Sequence, residues 1–186
     1  MERRCELAFF RDSIAYLEHD PDKEAHLIKL PYWQDQLVAV LPHDHPLACE
    51  KQLELARLSN EYFVMIKPGT MPYMLCMRAC REAGFTPQIL FTSHNLEAIL
   101  DMVTKGSCVA LLFEGHVAFR HMPEDQKLPF TAIPITPAIS TTIYLSYLKE
   151  GNLPPSALRF IDYCQLIQTG NSVQGPDSPE KTDSAL

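Results

Sequence analysis

The sequence lacks the features that would place this protein in a membrane or outside the cell. No apolar run in its 186 residues approaches the roughly 20 residues of a membrane-spanning helix. The opening residues MERRCELAFF lack the long apolar core of a signal peptide, which predicts a cytoplasmic location. The six cysteines are scattered among apolar neighbours, which favours reduced core thiols over a disulfide framework.

Positive charge is also scarce. The chain has 16 Lys and Arg residues against 23 Asp and Glu residues, and its net charge of −7 argues against a surface that binds DNA or membranes. With 46% hydrophobic and 21% charged residues, most of the chain is predicted to be globular. Its length fits one ordinary domain or two small lobes.

The stretch from Lys67 to Leu112 has the pattern of two consecutive βα units. Thr70 is suited to cap the first helix, Glu97 stands in the first turn of the second, and a glycine follows each helix. The predicted elements around it are strands at Tyr62–Ile66, Gln88–Thr92 and Cys108–Leu112, and helices from Thr70 to Gly84 and from Asn95 to Gly106. Strands that alternate with helices indicate a parallel sheet, whose ligands lie beyond the carboxyl ends of the strands.

The rest of the chain adds strands on either side of this centre. The predicted elements are strands at Cys5–Phe10, His26–Leu30, Gln36–Leu41 and Thr141–Tyr147, an extended run at Phe130–Ile135, a short helix within Leu53–Leu58, a helix at Glu114–His121 and a final helix between Asn152 and Gly170. Residues 170–186 are rich in Ser, Pro, Asp and Gly and are predicted to be disordered.

The turn Lys67-Pro68-Gly69-Thr70-Met71 is the predicted anion site, because the N–H groups of a helix start face outward there. Gly69 lets a ligand approach the backbone, and Thr70 adds a hydroxyl group. Two alternatives stay open: Thr70 is a plain helix cap, and Lys67 is a solvated lysine at a strand end.

Three segments together resemble the effector-binding domain of LysR-type transcriptional regulators: LVAVLPHDHPLA at Leu37–Ala48, ACREAGFTPQI at Ala79–Ile89 and LEAILDMVTKGSCVALL at Leu96–Leu112. The resemblance implies an α/β, two-lobed, periplasmic-binding-protein-like (type 2) fold with two crossovers. Lobe I would hold residues 1–58 and 138–169, and lobe II residues 59–137. A small effector would bind in the cleft between the lobes.

The resemblance also implies parts of the family that have no counterpart in this sequence. These are the winged helix-turn-helix domain, the linker helix, and the first strand and helix of lobe I. We therefore expect lobe I to be incomplete and DNA binding to need a domain absent from this chain. The full-length regulator would be a homo-oligomer. The family's usual proline after the strand ending at Leu112 is replaced here by Phe113-Glu114, which would alter one loop of the cleft.

Arg11 is the residue that the resemblance assigns to the charge of the effector. It directly follows the predicted strand Cys5–Phe10, and regulators of this family that sense carboxylates bind the effector through an arginine at the matching position. The resemblance thus implies a carboxylate effector held by Arg11, with Phe10 beside it and the Gly69-Thr70 turn opposite. The alternative is a surface salt bridge of Arg11 with Asp12 or Glu18.

Other functions are disfavoured because the sequence shows neither a cluster of metal ligands nor a set of catalytic residues. His43 and His45 lie between prolines with no completing ligand cluster, so no metal site is predicted, and no cofactor is expected. Glu97 and Asp101 are typical of a solvated helix face rather than a pair of catalytic carboxylates, so no enzyme is predicted. A solute-binding protein of a transporter is the alternative function, followed by an enzyme on the same fold.

Overall fold

A computed structural model describes residues 6–11, 26–118, 129–150 and 153–168. Their contacts divide the chain into two units. The smaller unit contains residues 6–10, 26–32, 144–150 and 153–168, and the larger unit contains residue 11 together with 33–118 and 129–143. The larger unit thus holds residues of both predicted lobes, so that this division and the predicted one are different; the lobe boundaries stay a prediction.

Eight strands and four α-helices make up the described residues. In chain order they are β1 (Ala8–Arg11), β2 (Leu27–Pro42), β3 (Leu53–Glu54), a 3₁₀ helix (Leu55–Leu58), β4 (Tyr62–Ile66), α1 (Met71–Glu82), β5 (Gln88–Ser93), α2 (Leu96–Thr104), β6 (Val109–Phe113), α3 (Glu114–Ala118), β7 (Phe130–Thr136), β8 (Ser140–Leu148) and α4 (Pro155–Gln168). The predicted cap at Asn152, the end of the helix predicted for Glu114–His121, and the tail 170–186 lie outside the described residues.

The predicted parallel centre is confirmed. Strand β4 lies between β6 and β5 and is parallel to both. Local signals explain the helices between these strands: the Thr70 hydroxyl accepts the Tyr73 N–H, and the Asn95 side chain caps α2 in the same way. Gly84 follows α1 at a φ of +88°, a backbone conformation that glycine adopts without strain.

Strand β2 corrects the prediction of two separate strands at His26–Leu30 and Gln36–Leu41. The structure has one strand of 16 residues, which continues through Pro31 and through the polar stretch Gln34–Gln36. The polar stretch remains extended because Asp35, although buried, finds two hydrogen-bonding partners there. In the larger unit β2 is antiparallel to both β6 and β7.

Apolar residues alternate along β2 and divide the core of the larger unit into two layers. Leu37, Ala39 and Leu41 belong to the cluster that packs against α1 and the 3₁₀ helix. Val38 and Val40 belong to the cluster that packs against α2 and Val117 of α3. Because successive side chains of a strand point to opposite faces, one strand supplies both layers.

The smaller unit has strands in the order β1-β8-β2 and the helix α4. Leu145 of β8 and the helix residues Ile161 and Cys164 form its buried cluster. Phe9 joins this side, with its ring centroid 4.9 Å from that of Tyr32. The predicted final helix is thus confirmed, and Ile161 and Cys164 on its buried side pack in one cluster with Leu145 of the sheet.

Candidate functional site at the carboxyl edge of the parallel strands

The register of the strands brings several turns to one edge of the larger unit. The parallel strands β4, β5 and β6 end there, at Ile66, Ser93 and Phe113. Leu37 of the antiparallel strand β2 pairs with Phe113, so the residues just before Leu37 lie at the same edge. In open sheets of this kind, ligands bind outside the carboxyl ends of the parallel strands.

The turn Lys67–Met71 joins β4 to α1 at this edge. Its Lys67 N–H donates to the Ser93 carbonyl at 3.0 Å, and the Thr70 hydroxyl donates to the Lys67 carbonyl at 2.9 Å. Gly69 has a φ of +87°, and Lys67, Pro68 and Gly69 are exposed. Since Pro72 has no N–H and the Tyr73 N–H goes to Thr70, the Met71 N–H is the first-turn donor that these contacts do not use.

The Arg11 guanidinium is fixed by three contacts within the larger unit. Its Nη2 lies 2.8 Å from Oδ2 of Asp35, and its Nη1 donates to the Thr141 hydroxyl. Its central carbon lies 4.0 Å from the centre of the Phe113 ring, a cation–π distance. The side chain is 12% exposed, so that part of it reaches the surface of this unit.

Asp35 is the counter-charge of this arginine. Its side chain is 1% exposed, and its two oxygens take different donors: Oδ2 faces Arg11, and Oδ1 accepts the Gly115 N–H at 2.9 Å. A side chain at Gly115 would crowd the carboxylate, because an added Cβ would lie 3.1 Å from Oδ2. One buried carboxylate thus joins the end of β1 to the start of α3.

His116 and Cys76 both sense the charge of Arg11. Burial lowers the pKa of His116, Arg11 lowers it further, and Asp35 opposes them. The Phe113 N–H donates to His116 Nδ1 at 3.3 Å, which leaves the proton of a neutral ring on Nε2. Burial raises the pKa of the Cys76 thiol, and Arg11 opposes that rise.

Comparison with known proteins identifies the type of domain. Residues 3–166 match the family model described as the LysR substrate binding domain. The chain belongs to this family. The transcriptional dual regulator GltC of Bacillus subtilis is 30% identical over 129 residues, which are 69% of this chain and 42% of GltC. The chain spans less than half the length of the curated relatives it matches first.

Solved structures share the fold of this LysR-type domain. The CcmR regulatory domain of Synechocystis PCC6803, in complex with 2-PG, matches with a TM-score of 0.71 and 18% identity over 87% of this chain and 73% of that one. The effector-binding domain of QuiR, in complex with shikimate, matches with a TM-score of 0.66 and 19% identity over 89% and 72%. The predicted family, the periplasmic-binding-protein-like fold and the ligand-sensing type of domain are confirmed, and the relatives named are regulators rather than transport proteins or enzymes.

The predicted site residues of this LysR-type domain lie in three places. Lys67, Pro68, Gly69, Thr70 and Met71 form the turn before α1, and Arg11 lies beside the end of the adjacent strand β6. Phe10 belongs to the smaller unit, where its ring stacks on Tyr144 with centroids 5.8 Å apart. The effector roles of all seven residues stay a prediction.

Sequence reasoning missed the partner of Arg11. Asp12 and Glu18, the partners considered, lie outside the described residues, and the structure pairs Arg11 with Asp35. Asp35 did offer a signal: it directly precedes the predicted strand Gln36–Leu41, and a carboxylate there has to find a buried donor if the strand continues through it.

The histidines weighed as metal ligands form hydrogen bonds with nearby groups, and two of the predicted core thiols are buried. His45 Nδ1 accepts the Leu47 N–H at 3.1 Å, and His43 lies 3.0 Å from the Thr131 hydroxyl. Cys76 and Cys80 are buried core residues as predicted, and burial raises the pKa of Cys80 to about 12. The described part of the chain contains no group of three or more metal-ligating side chains and no helix able to span a membrane.

Proposed function

We propose that this domain binds a small organic anion, a carboxylate foremost, at the carboxyl edge of its larger unit. Arg11 supplies the charge, and the turn Lys67–Met71 supplies N–H groups. The observation that supports this most directly is the fixed guanidinium of Arg11, held at the end of β6 beside the strand that leads into the turn. A preoriented guanidinium suits a carboxylate because it offers parallel N–H donors.

Three further observations support an anion. The two hydrogen bonds described for Arg11 use one N–H of each terminal nitrogen, and a guanidinium has more donors than these. The turn provides the positive end of α1, which favours negative charge. QuiR, whose domain shares this fold, is solved with shikimate, a compound that contains a carboxylate group.

In the whole protein, the anion would act as an effector of transcription. Binding would favour one conformation of the domain and thereby change how a homo-oligomer presents DNA-binding domains outside this chain. We assign no catalysis to the domain, and we place the regulator in the cytoplasm. The length of GltC relative to the matched region supports a larger protein of this kind.

The test is a panel of small acids and their uncharged analogues, with shikimate and 2-PG included, measured by calorimetry. We expect the ligands that bind to be anions, and Arg11→Gln to weaken their binding by roughly 2–4 kcal/mol. The matched control is Arg57→Gln, since Arg57 is an exposed arginine of the same unit that pairs with Glu50 at 3.0 Å.

The fold of each variant is checked by circular dichroism, because Arg11→Gln leaves Asp35 buried without its counter-charge. The double variant Arg11→Gln/Asp35→Asn removes both charges and separates loss of the fold from loss of the ligand. A ligand without negative charge, or equal affinity in wild type and Arg11→Gln, would overturn the proposal.

A further inference from the structure

The pairing of Arg11 with Asp35 changes what the anion site can recognise. The guanidinium and the carboxylate are 2.8 Å apart, and Asp35 is 2% exposed, so that water screens this carboxylate poorly. A ligand anion that approaches Arg11 is attracted by the guanidinium and repelled by the buried carboxylate behind it. The field of the pair on a ligand is therefore much weaker than that of a free arginine.

Asp35 cannot move away from Arg11 without losing other bonds. Its second oxygen takes the Gly115 N–H at 2.9 Å, and Thr141 and the Phe113 ring hold the guanidinium from other sides. A buried carboxylate that left these donors would lose charge-assisted hydrogen bonds. The counter-charge is thus a fixed part of the site.

We propose that Asp35 is the specificity-determining residue of the anion site: it offsets part of the Arg11 charge and penalises dianions more strongly than effectors with a single negative charge. This inference rests on the proposed function, since it concerns the same site. Repulsion by Asp35 grows in proportion to the ligand charge. A dianion therefore experiences about twice the penalty of a monoanion at the same place.

The experiment compares acetate, a monoanion, with inorganic phosphate at a mildly alkaline pH, where it is mainly a dianion. Binding is measured from the shifts of the Gly115 and Met71 amides in ¹⁵N-labelled wild type and Asp35→Asn. We expect Asp35→Asn to raise the affinity for acetate on the order of tenfold and for phosphate on the order of a hundredfold. The preference for phosphate over acetate then rises on the order of tenfold.

This ratio separates a role in specificity from a structural role. If Asp35 only orders Arg11, its loss weakens the binding of both anions equally and the ratio stays unchanged. Glu61→Gln is the matched control: it makes the same change in net charge, and Glu61 lies next to the start of β4, at the opposite edge. If the preference for phosphate over acetate is the same in Asp35→Asn as in Glu61→Gln, the inference is overturned.

The outcome also distinguishes this inference from the proposed function. If acetate and phosphate leave the Gly115 and Met71 amides of the wild type unshifted, the proposed site itself is wrong. If they bind there and the ratio is unchanged in Asp35→Asn, only the role of Asp35 is wrong.

A variant that fails to fold still gives an answer. Asp35→Asn leaves the Arg11 charge without its partner, and a bound anion can replace that partner. We then expect phosphate to restore the fold of Asp35→Asn at a lower concentration than acetate does. The double variant Arg11→Gln/Asp35→Asn, which lacks the Arg11 charge, measures the general effect of each salt on folding, and the difference should exceed that effect. Equal recovery of both variants in the two salts would overturn the inference.

Discussion

The two units of the domain differ in how their sheets are covered. In the larger unit, apolar residues on both faces of the strands are buried, one face against α1 and the other against α2 and α3. Among the described residues of the smaller unit, α4 is the only helix, and its buried cluster is Leu145, Ile161 and Cys164. Phe160 and Tyr163 of this helix are more than 40% exposed.

The unit that is covered on both faces is the one that can hold a charged group rigidly. Asp35 and Arg11 lie in the unit with two core layers, where the start of α3 supplies the partner Gly115 and β8 supplies the partner Thr141. A buried ion pair stabilises only when its geometry is well maintained. The smaller unit, with fewer buried contacts, is expected to open more readily.

The largest expected effect separates the two cores directly. Phe63 of β4 is 0% exposed in the larger unit, whereas Phe160 of α4 is 42% exposed. Phe63→Ala should lower the free energy of unfolding by roughly 3–5 kcal/mol, and Phe160→Ala by about 1 kcal/mol or less. Urea denaturation of both variants measures this, and similar losses would show that the exposed face of α4 is buried in solution.

Hydrogen exchange sharpens the comparison without a mutation. Amides of β4 and β6 should be protected on the order of a hundredfold more strongly than those of β1 and of residues 144–148 in β8, because opening the smaller unit exposes less apolar surface. Mass spectrometry of exchanged peptides resolves these segments. Equal protection in both units would contradict the difference in stability.

A smaller effect is expected at the start of α1. Thr70→Ala removes the hydroxyl that accepts the Tyr73 N–H at 3.4 Å, and should lower the free energy of unfolding by about 1 kcal/mol. Thr70→Ser keeps the hydroxyl and serves as the control. Thermal denaturation measures both, and an unaltered Thr70→Ala would mean that the cap adds nothing to this helix.

The smallest effect concerns the pH dependence of stability. Burial first, and then the charge of Arg11, lower the pKa of His116 below its usual 6.5. The unfolded state therefore binds a proton at His116 more readily than the folded state does. The contribution of His116 to stability is fully present above about pH 6.5 and is lost as the pH falls toward the pKa of the folded state. His116→Gln should reduce this loss in urea denaturation at several pH values. A pH dependence equal to that of the wild type would contradict it; His94→Gln, which removes an exposed histidine, is the control.

Local signals account for the parts of the fold that were predicted well. The bounds of β4 were predicted as they stand, α1 begins after the predicted cap at Thr70, and α2 begins near Asn95 as predicted. Hydrophobic periodicity, capping side chains and a following glycine act within a few residues of one another. Such signals can be read along the chain without knowing what packs against it.

Sequence patterns alone were enough to predict the βαβαβ centre and the family, both of which are confirmed. The edge at which a ligand would bind stays a prediction. Tertiary structure alone decided that β2 is continuous and that Arg11 faces Asp35 rather than a neighbour in the chain. The reason is physical: the donors that make the burial of Asp35 favourable, Arg11 and Gly115, are 24 and 80 residues away along the chain. From the sequence alone, a polar residue predicts the end of a strand, because burying its side chain is favourable only when hydrogen-bond donors surround it. Those donors become known only from the tertiary structure.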